Sequence, residues 1–194
     1  PEKTGVILED CLYTRMGVVY LEQMDDISGQ MFPFLIALQD QYLLPELRYT
    51  GQAYSTEFSF SDSMEQIYAY SYADQKAAAT VDVFLGMADA LEQMELTQEE
   101  LDGYIINAYS IATMPSTRTQ DAIDAMTDDL RGFDVERMYQ WKEQIKTTTV
   151  EDQQKAVEML RSVMDEMKMV TTGNSNILNA DADYYDEVYD YRRS

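Results

Sequence analysis

The chain has 194 residues, 45% of them hydrophobic, which allows one large domain with a core of its own and excludes a disordered chain. Its 14 Lys+Arg against 36 Asp+Glu leave a net charge of −22. The acid is scattered over the whole length, so nucleic acid and anionic membrane are excluded as partners, because both are bound through basic patches.

The first predicted element is a strand over Met16–Gln23, turning polar at its end. After Asp25-Asp26 and Ser28-Gly29-Gln30, a helix is expected from about Phe32 to Leu44. Its Phe34, Leu35, Leu38 and Tyr42 recur at spacings of three and four, with Met31 as a further member. Pro33 suits its first turn, and Pro45 its end or a kink. Gly51 breaks the chain, and two strands follow. Ala53–Phe60 alternates Tyr54, Thr56, Phe58 and Phe60 against Ala53, Ser55, Glu57 and Ser59. Asp62-Ser63 supplies a turn, and Gln66–Tyr72 returns as a Tyr-rich strand. The pair reads as a half-buried hairpin in an antiparallel sheet.

From Lys76 the period becomes helical. One helix is expected over Ala79–Met94, carrying Val81, Phe84, Leu85, Ala88 and Leu91. Thr97-Gln98-Glu99-Glu100 is a capping box opening a helix to about Thr113, before Pro115. Further helices are expected at Thr119–Arg131, Val135–Lys146 and Val150–Glu166, the last capped by Thr149 with Asp152 at its third position. Met167–Thr172 reads as a final strand, ended by Gly173-Asn174. The acidic, Tyr-rich tail 181–194 is expected to be a loosely docked helix or an exposed arm. With no linker and no repeat, residues 1–180 form one α+β domain, a sheet packed on one side by several helices.

The chemistry is bounded by absences. Without histidine there is no Ser-His-Asp or Cys-His machinery and no imidazole for zinc. A single cysteine, Cys11, gives neither an internal disulfide nor a thiolate metal cluster. Asp181, Asp183, Asp186 and Glu187 resemble calcium ligands superficially, but lack the glycine and terminal glutamate of an EF-hand loop. No phosphate-binding glycine loop is present, and no apolar run reaches the ~20 residues of a membrane helix. The start at Pro1 is neither a signal peptide nor preceded by Met, as expected of a piece of a longer protein. One basic group stands out. Arg48 precedes Gly51 and Tyr54; a guanidinium offers a planar fork to a carbonyl, and a phenol can donate to a developing oxyanion. The bland alternative is an Arg neutralising Glu46 or Glu57, with Tyr54 in the core.

The stretch Leu44-Pro45-Glu46-Leu47-Arg48-Tyr49-Thr50-Gly51-Gln52-Ala53-Tyr54 resembles the Arg, two residues, Gly-Gly-Ala-Tyr-Gly segment of M16 metallopeptidases. The nearest branch is M16C, which holds the presequence proteases and their bacterial relatives. The likeness continues in Tyr68-Ala69-Tyr70-Ser71-Tyr72-Ala73-Asp74, where the family has Tyr-Ser-Tyr-Arg-Asp-Pro. It extends through Thr80–Gly86, Leu96–Leu101 and Ile145–Asp152, covering about Met16 to Gly173. The resemblance implies the M16 / LuxS-like metallohydrolase domain fold, and the fourth of four homologous domains that close in two halves around a chamber. Zinc and the general base would lie in the first domain, on His-x-x-Glu-His, so this chain would hold no metal and be inactive alone.

By the same resemblance Arg48 binds substrate carbonyl, Tyr54 helps stabilise the tetrahedral intermediate, and Gly51 and Ala53 keep the turn slim. The expected partners are the N-terminal half of the same polypeptide and short unfolded peptides, basic ones favoured by the charge, with a homodimer of the isolated fragment conceivable. A bacterial cytoplasm is the expected setting, with extracellular and organellar settings as alternatives. Departures occur at Gln52, Ser55, Ala73 and Gln75. They leave open a non-catalytic M16-like structural or peptide-binding domain.

Overall fold

The computed structural model describes residues 2–8, 14–17, 28–51, 53–61, 66–132 and 135–193. The strands are β1 (Glu2–Ile7), β2 (Thr14–Gly17), β3 (Ser55–Ser61), β4 (Gln66–Asp74), β5 (Lys168–Gly173) and β6 (Glu187–Asp190). They form one six-stranded sheet in the order β3-β4-β2-β5-β1-β6. The helices are α1 (Phe32–Leu38), α2 (Ala77–Leu85), α3 (Met87–Glu92), α4 (Gln98–Ala112), α5 (Arg118–Arg131), α6 (Val135–Lys146), α7 (Gln153–Glu166) and α8 (Ser175–Ala180).

The α+β class holds, but the sheet is mixed and not wholly antiparallel. β3-β4-β2-β5 pair antiparallel, whereas β1 lies parallel to both β5 and β6. The reason is connectivity. β1 and β6 come from opposite ends of the chain, so no hairpin turn sets their direction. β1 is absent from the sequence reading because Gly5 interrupts its alternation. The expected helix or arm in the tail is instead β6, which pairs Thr4–Ile7 of β1 with Glu187–Asp190 and follows the buried Tyr185.

One sheet face is buried under helices. Thr56, Phe58, Ala69, Ser71, Met169 and Thr171 point into it and are buried. Against them pack Phe34, Leu35 and Leu38 of α1, Phe84 of α2, Met87 and Leu91 of α3, and Leu160 and Val163 of α7. Removing a leucine from such a site costs about 2–5 kcal/mol. The expected capping box of Thr97 with Glu100 forms, and Thr149, expected as a cap, forms a box with Asp152. The latter opens a single 3-10 turn, Val150–Asp152, ahead of α7.

Two helix expectations change. The helix that begins at Phe32 does not stop at Pro45 but continues to Thr50 as a wider, π-type helix over Gln39–Thr50. Proline has no N–H to donate, and its ring collides with the carbonyl four residues back in an α-helix; wider winding moves that carbonyl aside. Buried Leu43 and Leu47 hold this segment down. The helix expected over Ala79–Met94 divides at Gly86, although Gly86 N–H still reaches Asp82 C=O (3.0 Å) and Ala90 N–H reaches Gly86 C=O (2.9 Å). The cause is Tyr42. Its hydroxyl donates to Val83 C=O (3.0 Å) and would stand 2.7 Å from a Cβ at position 86. Residues 18–23 of the first expected strand, Cys11, Gln52 and the Asp62-Ser63 turn lie outside the described residues.

Candidate functional site

The π-type helix ends at Gly51, whose φ of −77° is ordinary. What demands glycine there is proximity: a Cβ would sit 2.7 Å from Leu47 O and 2.8 Å from Glu46 O, both backbone atoms that cannot swing away. The chain doubles back over the helix end so closely that Ala53 N–H donates to Leu47 C=O at 2.8 Å. This bond holds the residue before Tyr54 against the residue before Arg48. Ala53 is buried in the turn. The next residue, Tyr54, joins the sheet by donating its N–H to Tyr72 C=O at 2.9 Å.

Arg48 is exposed and makes no hydrogen bond or ion pair with any described residue. Tyr54 is 72% exposed, and its ring meets the edge of the Tyr72 ring at 6.3 Å and 81°. Neither side chain does what the bland alternative required. Arg48 is not paired with Glu46 or Glu57, and Tyr54 is not in the core. Glu57 instead accepts from Tyr68 OH at 2.8 Å. Tyr54 breaks the expected alternation because it precedes β3 by one residue; Thr56 and Phe58 take up the inward parity after it.

The start of the wide helix is clamped to the strand by one side chain that the sequence did not single out. Gln39 Nε2 donates to Thr56 C=O (3.0 Å), and Phe58 N–H donates to Gln39 Oε1 (3.1 Å). β3 is an edge strand, and an amide side chain satisfies both groups where a neighbouring strand would otherwise be needed. Only the tertiary placement of the start of the wide helix beside β3 reveals this role. Tyr72, the ring partner of Tyr54, was more legible: Tyr68, Tyr70 and Tyr72 recur every second residue and share a face of β4. Tyr68 and Tyr70 stack at 6.3 Å and 17°.

Beside the site, β4 ends in a bulge. Ala73 has φ 53°, the left-handed region, and the register between β2 and β4 shifts between Thr14 and Met16. The bulge turns Asp74 inward. Asp74 is 1% exposed and accepts from Ser71 Oγ (2.8 Å), the Lys76 N–H (2.8 Å) and the Thr80 hydroxyl. It thereby ties the end of β4 to the start of α2. Below the wide helix, burial pushes the Tyr42 phenol up, with Glu46 and then Asp89 adding to it, which keeps that hydroxyl a donor to Val83.

The donor set does not fit zinc. The chain has no histidine and one cysteine, and among the described residues no three His, Cys, Asp or Glu side chains converge as a metal site. Asp186, one of the superficially calcium-like residues, accepts from the Lys3 N–H at 2.7 Å. No helix of the described residues is long and apolar enough to cross a membrane. What the site offers is an exposed guanidinium with no partner among the described residues and an exposed phenol, both at the end of the turn.

This six-stranded mixed sheet with helices on one face is a fold shared with M16 peptidase domains of known structure. Pitrilysin superposes with a TM-score of 0.63 at 14% identity, covering 98% of this chain and 22% of that chain. An M16 inactive domain from Pseudomonas fluorescens superposes at 0.59 and 16% identity, covering 90% of this chain and 44% of that one. The PreP C-terminal domain family model matches residues 12–175, and the chain belongs to that family. Presequence protease 1, chloroplastic/mitochondrial, of Arabidopsis thaliana is 25% identical over 158 residues. That match takes in 80% of this chain but 14% of the relative's length.

Proposed function

We propose that this chain is the substrate-binding C-terminal domain of a larger zinc metallopeptidase that degrades short unfolded peptides. Zinc and the general base are assigned to the N-terminal half of the polypeptide, and this chain by itself is inert. Arg48 donates to a carbonyl of the substrate backbone beside the scissile bond. Tyr54 donates its phenolic hydrogen to the oxyanion that develops there. The Leu47–Ala53 hydrogen bond is the observation that supports this reading, because it holds the residue before Arg48 against the residue before Tyr54. Donors fixed before the reaction stabilise charge without reorganising at the moment it forms. In this reading Gly51 and Ala53 keep the turn slim, so that a peptide can approach.

The test is steady-state kinetics on the full-length protein. Arg48→Ala and Tyr54→Phe should each lower kcat/KM, Tyr54→Phe mainly through kcat, by about 10²–10³ if its hydrogen bond is made only in the transition state. Unchanged kcat/KM in both variants would remove the assigned roles. The departures at Gln52, Ser55 and Ala73 favour a second reading, a non-catalytic M16-like structural or peptide-binding domain. A full-length sequence without His-x-x-Glu-His would select it.

A further inference from the structure

In α5 sequence and surroundings disagree. Ala122, Ile123, Met126 and Leu130 recur at spacings of three and four, the stripe by which a surface helix docks. Yet Ile123 is 47%, Met126 59% and Leu130 78% exposed. The helix itself is well made. Thr117 caps its start, accepting from Gln120 N–H at 3.2 Å, and Gly132 ends it in the left-handed conformation at φ 69°. Its other face carries Asp121, Asp124 and Asp128. Exposed apolar surface also precedes it, at Ile111 and Met114. Ile111 in addition lines an apolar cavity of about 280 Å³ between α1, α4 and α6, beside Trp141.

A second copy of this chain is a poor occupant of that face. Each copy carries a net charge of −22, so pairing two copies would set like charges against each other. The lengths point elsewhere. This chain matches only 14% of the presequence protease it resembles, and its family is described as a C-terminal domain. We infer that the apolar stripe of α5, with Ile111 and Met114, docks on the preceding part of the same polypeptide. The receiving surface is an apolar groove that takes the stripe of α5. This rests on the reading of the chain as the C-terminal domain of a larger peptidase, and it names the surface through which the two parts meet.

Amide hydrogen exchange on this chain alone and on the full-length polypeptide tests it, in wild type and in Met126→Glu/Leu130→Glu. The α5 amides should exchange about 10²-fold more slowly in the full-length protein, where the helix can no longer open locally. The double variant should restore the fast rate there, and leave both exchange and Tm of the shorter chain unchanged. Equal α5 exchange in the two wild-type proteins would overturn the inference. Protection in the shorter chain that grows with its concentration would also overturn it, in favour of a second copy. The Arg48 and Tyr54 kinetics are read separately. Lost docking with intact dependence on Arg48 sinks this inference alone, and the converse sinks the catalytic reading alone.

Discussion

Asp74 shows how one residue sets local geometry. Its carboxylate serves Ser71, Lys76 and Thr80 from within the core, and it reaches them only because Ala73 adopts φ 53°. An alanine in the left-handed region costs roughly 1 kcal/mol, offset here by the hydrogen bonds of its neighbour. Ala73→Gly should therefore be neutral or stabilising by up to about 1 kcal/mol. Asp74→Ala should destabilise by about 2–4 kcal/mol, because it strands buried donors. Urea unfolding of the two variants checks both signs, and a stable Asp74→Ala would show that the bulge does not depend on the network. The sequence displayed Tyr-Ser-Tyr-Ala-Asp as a recognisable string. It gave no sign that Ala73 would be strained or Asp74 buried, since both follow from a register shift between two strands.

At the scale of elements, capping chemistry was the most legible feature, because it is local. Thr97 with Glu100 and Thr149 with Asp152 are set by side chains three residues apart. The Asp152 box has a pH consequence. Burial alone would push its carboxyl up, but the Thr149 amide, the Lys155 ammonium and the Thr149 hydroxyl outweigh it and hold the group below its ordinary value of 3.8. A lowered folded value means that the contribution is complete above the unfolded-state value and is lost as pH falls through the folded one. Asp152→Asn should accordingly lower Tm at pH 7 and flatten the fall in Tm below pH ~4. A variant with the same acid limb as wild type would show that this carboxylate is not linked to folding. Helix limits set by distant contacts were not legible. Pro45 suited an end or a kink, yet Leu43 and Leu47 are anchored in the core and the chain widens its winding around the proline. Gly86, inside the helix expected over Ala79–Met94, proves to be where the Tyr42 hydroxyl approaches the backbone.

For the molecule as a whole, charge and connectivity dominate. A net −22 within one compact fold repels itself, and salt screens that repulsion over about 8–10 Å at 0.1–0.15 M. Tm of this chain should therefore rise between ~0.02 and ~0.2 M NaCl; a flat or falling Tm would mean that local ion pairs such as Arg161 with Asp89 and Glu92 outweigh the global field. The sequence by itself determined the α+β class, most of the elements, the absence of a histidine-based metal site, and the identity of Arg48, Gly51 and Tyr54 as the residues to watch. These depend on periodicity, on local capping and on which side chains are present at all. Only the tertiary structure decided that β1 and β6 enter the sheet as parallel strands from opposite ends of the chain. It also decided that Gln39 clamps the helix to the edge strand, that Tyr54 faces solvent and not the core, and that α5 keeps an apolar stripe uncovered. Each of these is a relation between segments far apart in the chain. No turn or period encodes such a relation, and packing settles it only once the whole chain is folded.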